Sequence, residues 1–465
     1  MRPRSIEGLV LLALILTNVA IKLLWIGATE LAHDEPFTVY WSQRPVAELW
    51  AMLATENNPP LWFFLIKGWS AITPFTAEWL RVPSALFSAL TVWPLYLLAR
   101  RADGARTAVL AALLFTLNNH HLGFAHEVRA YALFALLSTT GMWSLWRWKG
   151  SGRSGWVQAW PLVVIDILLV YTHFFGWLAV GLQLLCLLLP EFRPIRSGML
   201  RVFGITVAAY LPYAAVFLGR LNESVSQGTW LTPPTPEEVY NMIWRWSNAP
   251  VLAVAFLVII LAAVFRSRPL DAIHRFVLIW TFVPLFGMFL VSYLVPVFLD
   301  RYLIYAAPGF ALLVALSTVR LGLPKRYGVV LSGVIVAGMA VTFRPSKDTG
   351  RHPSQVVAQV DALCDGSCSI EIVPRWYWLN YIAARNIDAL RNDLSHVLGT
   401  GEQFQVNDST RTSWTDPDPD NLIVVDAGVA ELGMDRSWRA EYAASHPQVD
   451  SVEADHKVRV YRFRR

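Results

Sequence analysis

Residues 8–27 read GLVLLALILTNVAIKLLWIG, and the chain then reaches His33-Asp34-Glu35-Pro36. A run long enough to span a bilayer is followed by an acidic pair, where a membrane helix would meet water. A carboxylate at the edge of hydrocarbon is poorly solvated, so its pKa can rise toward values that suit a general base. The plainer reading is that the pair ends a helix and marks the water boundary.

The remainder of the sequence fixes the class. Of its 465 residues, 55% are hydrophobic and 16% charged, against about 25% charged in soluble domains. The 21 Trp and 24 Phe suit a protein with two wide lipid interfaces, where aromatic belts form. The net charge of +5 is not a nucleic-acid footprint, because the basic residues fall in short clusters between apolar runs. Three cysteines exclude a disulfide scaffold.

Apolar runs recur from Ile6 to about Phe343. They are expected as spans at 8–27, 80–99, 107–120, 130–147, 156–173, 174–190, 201–219, 249–265, 274–295, 302–319 and 327–343. The loops between them alternate. One set is basic: Arg2 and Arg4; Arg100, Arg101 and Arg106; Arg147, Lys149 and Arg153; Arg193, Arg196 and Arg201; Arg266, Arg268 and Arg275; Arg320, Lys325 and Arg326. The positive-inside rule assigns these to the cytoplasm. The loops 28–79, 121–129, 220–248 and 296–301 then lie outside, as does the C-terminal segment. This requires the apolar stretch 59–72 to lie at or dip into the outer face rather than cross. The first run is long for a signal peptide and no clean A-x-A site follows, so it is expected as a retained anchor.

Residues 345–465 read as a small soluble α/β domain on the outer side, with strands at 369–373, 422–425 and 458–463 and a helix at 376–385. Residues 1–344 form the transmembrane domain, with 28–79 as its outer loop. The fold class is thus a polytopic α-helical membrane protein of about eleven transmembrane helices, carrying juxtamembrane helices and an α/β C-terminal domain. A disulfide between Cys364 and Cys368 suits an oxidising compartment, whereas a zinc site lacks a second ligand pair. Cys186 reads as a packing residue.

Polar residues then gather at the expected outer face: His33, Asp34, Glu35, Glu56, Asn57 and Asn58; His120, His121, His126, Glu127, Arg129 and Tyr131; Tyr171, Thr172 and His173; Asp300, Arg301 and Tyr302. Ionisable groups converging at one membrane depth are the signature of a site. Taken singly, each has a plain explanation: Glu127 and Arg129 as snorkelling residues, His173 as a helix cap, Asp300-Arg301 as a local ion pair. Asp166, inside a span, calls for either a buried donor or a cavity. An arginine fork matches two phosphate oxygens and stays charged. Arg129 and Arg301 are therefore candidate phosphate holders, and a lipid-linked phosphate is the substrate class they suggest.

Five segments carry a resemblance. They are Asp34-Glu35, Asn58-Pro59-Pro60-Leu61, Leu80-Arg81-Val82-Pro83-Ser84-Ala85-Leu86, Glu127-Val128-Arg129-Ala130-Tyr131, and Arg301-Tyr302-Leu303 with Pro308. In order and spacing the chain resembles the GT-C superfamily of integral-membrane glycosyltransferases. The branch it looks like is the bacterial one related to protein O-mannosyltransferases and lipid A aminoarabinose transferases. The resemblance implies an inverting transfer of a sugar from a polyprenyl-phosphate donor to a hydroxyl of a lipid, glycan or protein acceptor, at the outer face of the bacterial cytoplasmic membrane. It implies Asp34 as the catalytic base, with Glu35 sharing or replacing that role, and Arg129 and Arg301 on the lipid phosphate. Asn58, Glu127, Tyr131, His173 and Tyr302 complete the candidate substrate site. Many relatives carry His or Lys where this chain has Asn58, which can hydrogen-bond but carries no charge. No cofactor is required; a divalent cation at Asp34, Glu35 or Glu127 is compatible with the residue types, although no compact ligand motif demands one. The alternative is a polytopic lipid or solute transporter without covalent chemistry, although its charges would sit near the midplane and its halves would often repeat.

Overall fold

The computed structural model describes residues 3–151, 155–226, 229, 231–267, 269–345, 350–364, 368–374, 376–395, 421–428, 437–446, 448–455 and 457–465. Arg2, Arg153 and Arg268 of the basic clusters lie outside these residues. The chain forms two compact units: residues 1–26, 57–62 and 81–347, and residues 27–56, 63–80 and 348–465. The loop 28–79 was expected to belong with the transmembrane helices. Most of it instead falls in the same unit as the C-terminal residues, because its side chains bond to that segment.

The first unit is helical. Each of the eleven apolar runs contains a helix. Among the described residues five helices are long and apolar enough to cross a membrane: Ile6–Leu24, Ala77–Ala102, Pro190–Ser226, Ala272–Val291 and Lys325–Thr342. Ala105–Thr116, Trp156–Thr172, Gly176–Cys186 and Ala307–Val319 are shorter and apolar. Ala307–Val319 is apolar on all sides and buried along almost its whole length, as a helix at the centre of a bundle must be. Gly309 permits this packing, since a Cβ there would meet the Trp280 ring at 2.9 Å. Helices Ile6–Leu24 and Lys325–Thr342 instead expose Leu9, Leu12, Leu16, Val329, Val330 and Val334, the face expected against lipid.

Helix Glu237–Ser247 meets Pro250–Arg266 at 94°. Asn248 makes the corner at φ 65°. Its side chain donates to the Leu117 carbonyl at 2.7 Å and accepts from the Asn119 N–H at 2.9 Å. Asparagine tolerates this left-handed conformation better than most residues.

The basic clusters meet at one end of the bundle. Arg320 bridges Asp103, at 2.6 Å, and Asp271. Arg275 pairs with Glu191, and Arg100 with Glu7. Arg147 and Lys149 close helix Tyr131–Lys149, so its Tyr131 end faces the opposite way.

Helix Leu61–Ser70 has ten residues and is about 15 Å long. That is short against hydrocarbon of about 30 Å, in keeping with a helix that lies at the outer face.

In the second unit, strands β1 (Ser369–Val373), β2 (Asn421–Asp426), β3 (Gln448–Asp455) and β4 (Val458–Arg464) form one sheet in the order β1-β2-β4-β3. β1 and β2 run parallel; β2 and β3 both pair antiparallel with β4. Val373, Leu422, Val424, Tyr461 and Phe463 make one core, with Tyr442 against it. Cys364 and Cys368 form a disulfide. A second core gathers Leu49, Met52, Leu53 and Phe63 under Phe37, Trp41 and Phe64.

Candidate functional site

In the first unit, four of the quoted segments converge. Asn58 precedes helix Leu61–Ser70, and its side-chain carbonyl accepts from Arg129 Nη2 at 3.2 Å. Its backbone carbonyl accepts from the Tyr213 hydroxyl at 3.3 Å. Trp62 Nε1 donates to the Val128 carbonyl at 3.2 Å. Ser84 Oγ, one turn along its helix from Arg81, donates to the Glu127 carbonyl at 2.5 Å. The Glu127–Arg129 turn is thus held from two sides, and Val128 is buried beneath it. Burial of the central residue leaves Glu127 and Arg129 partly exposed. Arg81 itself is fully buried and donates to the Ile26 carbonyl at 3.0 Å, a structural role.

The fourth segment arrives through His173. This residue ends helix Trp156–Thr172. Its ring lies 5.8 Å from Tyr131, 5.0 Å from Phe134 and 5.6 Å from Tyr302. Arg129 sits 5.8 Å over Tyr131 and Arg301 5.6 Å over Tyr302. The two guanidinium groups thus lie over the two tyrosine rings that flank His173. The Phe175 N–H donates to His173 Nδ1 at 3.1 Å. Nδ1 is therefore an acceptor, and the neutral ring carries its proton on Nε2. The result is a small aromatic basin with two guanidinium groups at its edge. Asp300 accepts from the Arg301 N–H at 2.8 Å and lies 3.8 Å from Arg245.

Sequence reasoning missed Tyr213, Ser84's hydroxyl and Arg220, which donates to Asn57 at 3.1 Å. A tyrosine inside an apolar run beside Pro212 is the signal that could have found the first.

Asp34 and Glu35 belong to the second unit and differ sharply. Glu35 is 4% exposed. Its carboxylate accepts from the Ala32 N–H at 3.2 Å, and its own N–H donates to the Ala32 carbonyl at 3.1 Å. Glu35 therefore closes a turn. Asp34 precedes helix Glu35–Gln43, does not cap it through its side chain, and is partly exposed. The helix start directs positive dipole ends toward a carboxylate at this position. Among the described residues no three His, Cys, Asp or Glu side chains are grouped to hold a metal ion.

A family model described as dolichyl-phosphate-mannose-protein mannosyltransferase matches residues 57–215. ArnT from Cupriavidus metallidurans in the apo state superposes with a TM-score of 0.60 at 13% identity, covering 98% of both chains. The same protein bound to undecaprenyl phosphate gives 0.61 at 12%, covering 97% of each. This chain has the fold of ArnT. The likeness of fold extends to the Archaeoglobus fulgidus oligosaccharyltransferase in complex with Zn and sulfate. That match has a TM-score of 0.53 at 13% identity, over 81% of this chain and 61% of that one. At such identities the likeness is one of fold. Curated proteins offer no sequence match.

Proposed function

We propose that the protein is an inverting glycosyltransferase that moves a sugar from a polyprenyl phosphate to a hydroxyl of a lipid, glycan or protein acceptor. The observation that carries this reading is the placement of Arg129 over Tyr131 and of Arg301 over Tyr302, the two rings beside His173, with Asn58 bonded to Arg129. Support comes from the ArnT structure bound to undecaprenyl phosphate and from the archaeal AglB complex with an inhibitory peptide and a dolichol-phosphate.

In this mechanism the two guanidinium groups hold the donor phosphate. The acceptor oxygen attacks the anomeric carbon as the bond from that carbon to the phosphate oxygen breaks. The acceptor proton passes to Asp34, and the polyprenyl phosphate leaves with its added charge stabilised by the arginines. A single displacement inverts the anomeric centre. Tyr131, Tyr302 and the Nε2–H of His173 supply stacking and a donor for the sugar. Glu127, partly exposed beside Arg129, is assigned to the acceptor side. A divalent cation near Asp34 remains compatible with the chemistry. The enzyme would reside in the bacterial cytoplasmic membrane, N-terminus inside and C-terminal unit outside, since the basic clusters share one end of the bundle.

The test is donor binding in nanodiscs. Arg129→Ala and Arg301→Ala should each cost on the order of 1–3 kcal/mol, the range of a charge-assisted hydrogen bond. Lysine should rescue only in part, because it keeps the charge and loses the fork. Wild-type donor binding in both alanine variants would falsify the assignment. Lipid movement across sealed vesicles without sugar transfer would favour the transporter.

A further inference from the structure

Ahead of Asp34 the backbone takes an uncommon path. His33 has φ 55°, one of three non-glycine residues with positive φ among those described. Such a conformation persists only where the surroundings hold it. Its hold comes from both sides. Glu35 closes the turn onto Ala32, and Asn380 Nδ2 donates to the His33 carbonyl at 3.2 Å. Asn380 is 2% exposed, on helix Tyr377–Arg385, 347 residues further along the chain.

The same C-terminal segment grips the rest of helix Glu35–Gln43. Leu394 N–H donates to the Tyr40 hydroxyl at 3.3 Å. Just past the helix end, Arg44 Nη2 donates to the Arg391 carbonyl at 2.6 Å and the Leu390 carbonyl at 3.4 Å. Its guanidinium also lies 4.5 Å over the Tyr40 ring. Tyr40, Arg44, Trp378, Leu390 and Leu394 are all buried. The helix that begins at Asp34 is therefore clamped at its start, middle and end by residues 380–394, all inside one compact unit.

We infer that Asn380 is a positioning residue for Asp34: its amide fixes the left-handed turn at His33 and so sets the direction of the Asp34 carboxylate. The inference rests on the proposed role of Asp34 as base. It depends on the donor carried by the Asn380 side chain, for which Asp is an isostere that cannot donate when ionised.

The experiment compares Asn380→Asp, Asn380→Ser and Asp34→Asn, with Arg385→Ala as the control on the same helix. Asn380→Asp should lower kcat by roughly ten- to a hundredfold, the scale of a misplaced catalytic group. The donor KM should stay near wild type; the thermal midpoint falls, because a carboxylate replaces a buried amide, so kcat is read well below it. Because the new carboxylate lies by the turn, the acid limb of the kcat profile should move to higher pH. Backbone hydrogen exchange over residues 31–38 should quicken in both Asn380 variants and nowhere else. Adding His33→Gly to Asn380→Ser should restore part of kcat, since glycine takes positive φ without strain. Arg385→Ala should keep wild-type turnover. The inference is overturned if exchange at 31–38 and kcat are unchanged in both Asn380 variants. It is equally overturned if activity falls only with the thermal midpoint, without a change in the pH profile. If Asp34→Asn is fully active, the base assignment fails and the inference with it. If Asp34→Asn is dead while the Asn380 variants match wild type, only the positioning role fails.

Discussion

Asn58 holds Arg129 by a hydrogen bond of 3.2 Å between two segments 71 residues apart. A carboxylate at position 58 would cancel the arginine's charge, and a lysine would repel it. A neutral amide orients the fork and leaves the charge in place. Asn58 thus orients Arg129 without altering its charge.

Asn58→Ala should weaken donor binding by about 0.5–1.5 kcal/mol, the worth of one hydrogen bond, with kcat less affected. Asn58→Asp should weaken it further, because an ion pair with Arg129 competes with the phosphate. Donor titration in nanodiscs distinguishes the two. Tighter binding in Asn58→Asp would show that Arg129 does not face a phosphate.

The membrane helices were legible in the sequence because continuous apolar runs have few other uses. Strands β1, β2 and β4 were legible as short apolar runs. β3 was not: QVDSVEAD alternates small apolar with charged residues, as an edge strand does, and gives too weak a signal alone. The unit boundary was also hidden. The bonds from Arg44, Tyr40 and His33 to residues 380–394 span about 346–354 positions, and no local pattern reports contacts that distant. Residue types singled out Arg129, His173 and Arg301, which the structure brings together around Tyr131 and Tyr302, whereas the difference between Asp34 and Glu35 needed the turn at Ala32.

Topology can be read with single cysteines. Ser42 and Ser247 lie in expected outer loops but are buried, so they are poor probes. Thr76 and Ser445 are exposed, as is Ser151 on the basic side. Thr76→Cys and Ser445→Cys should react with an impermeant thiol reagent in intact cells, and Ser151→Cys only after lysis. Labelling of Ser151→Cys from outside would invert the orientation.

Asp166 finds a buried donor: Gln183 Nε2 donates to its Oδ1 at 2.9 Å between helices Trp156–Thr172 and Gly176–Cys186. Both residues are buried. Gln183→Leu should destabilise the protein by about 1–3 kcal/mol by stripping that partner. The double change Asp166→Leu with Gln183→Leu should recover much of it, since replacing both partners by apolar groups is often nearly neutral. Thermal unfolding in detergent reads both. A double variant weaker than Gln183→Leu would argue that Asp166 has work beyond packing.

The acidic pair separates by role. Asp34→Asn keeps the shape but cannot take a proton at neutral pH. Sugar transfer should fall by roughly a hundredfold or more, the usual contribution of a placed acid–base group, while donor binding and the thermal midpoint hold. Glu35→Gln can still accept from the Ala32 N–H through its amide oxygen, so its turnover should stay within about tenfold of wild type. Glu35→Ala removes that acceptor beneath a buried turn and should cost about 1–3 kcal/mol of stability. The assay pairs a polyprenyl-phosphate sugar with a membrane-extract acceptor, beside thermal unfolding of each variant. Full turnover in Asp34→Asn together with a dead, stable Glu35→Gln would move the base to Glu35, and the turn at Ala32 would then have to open before each transfer.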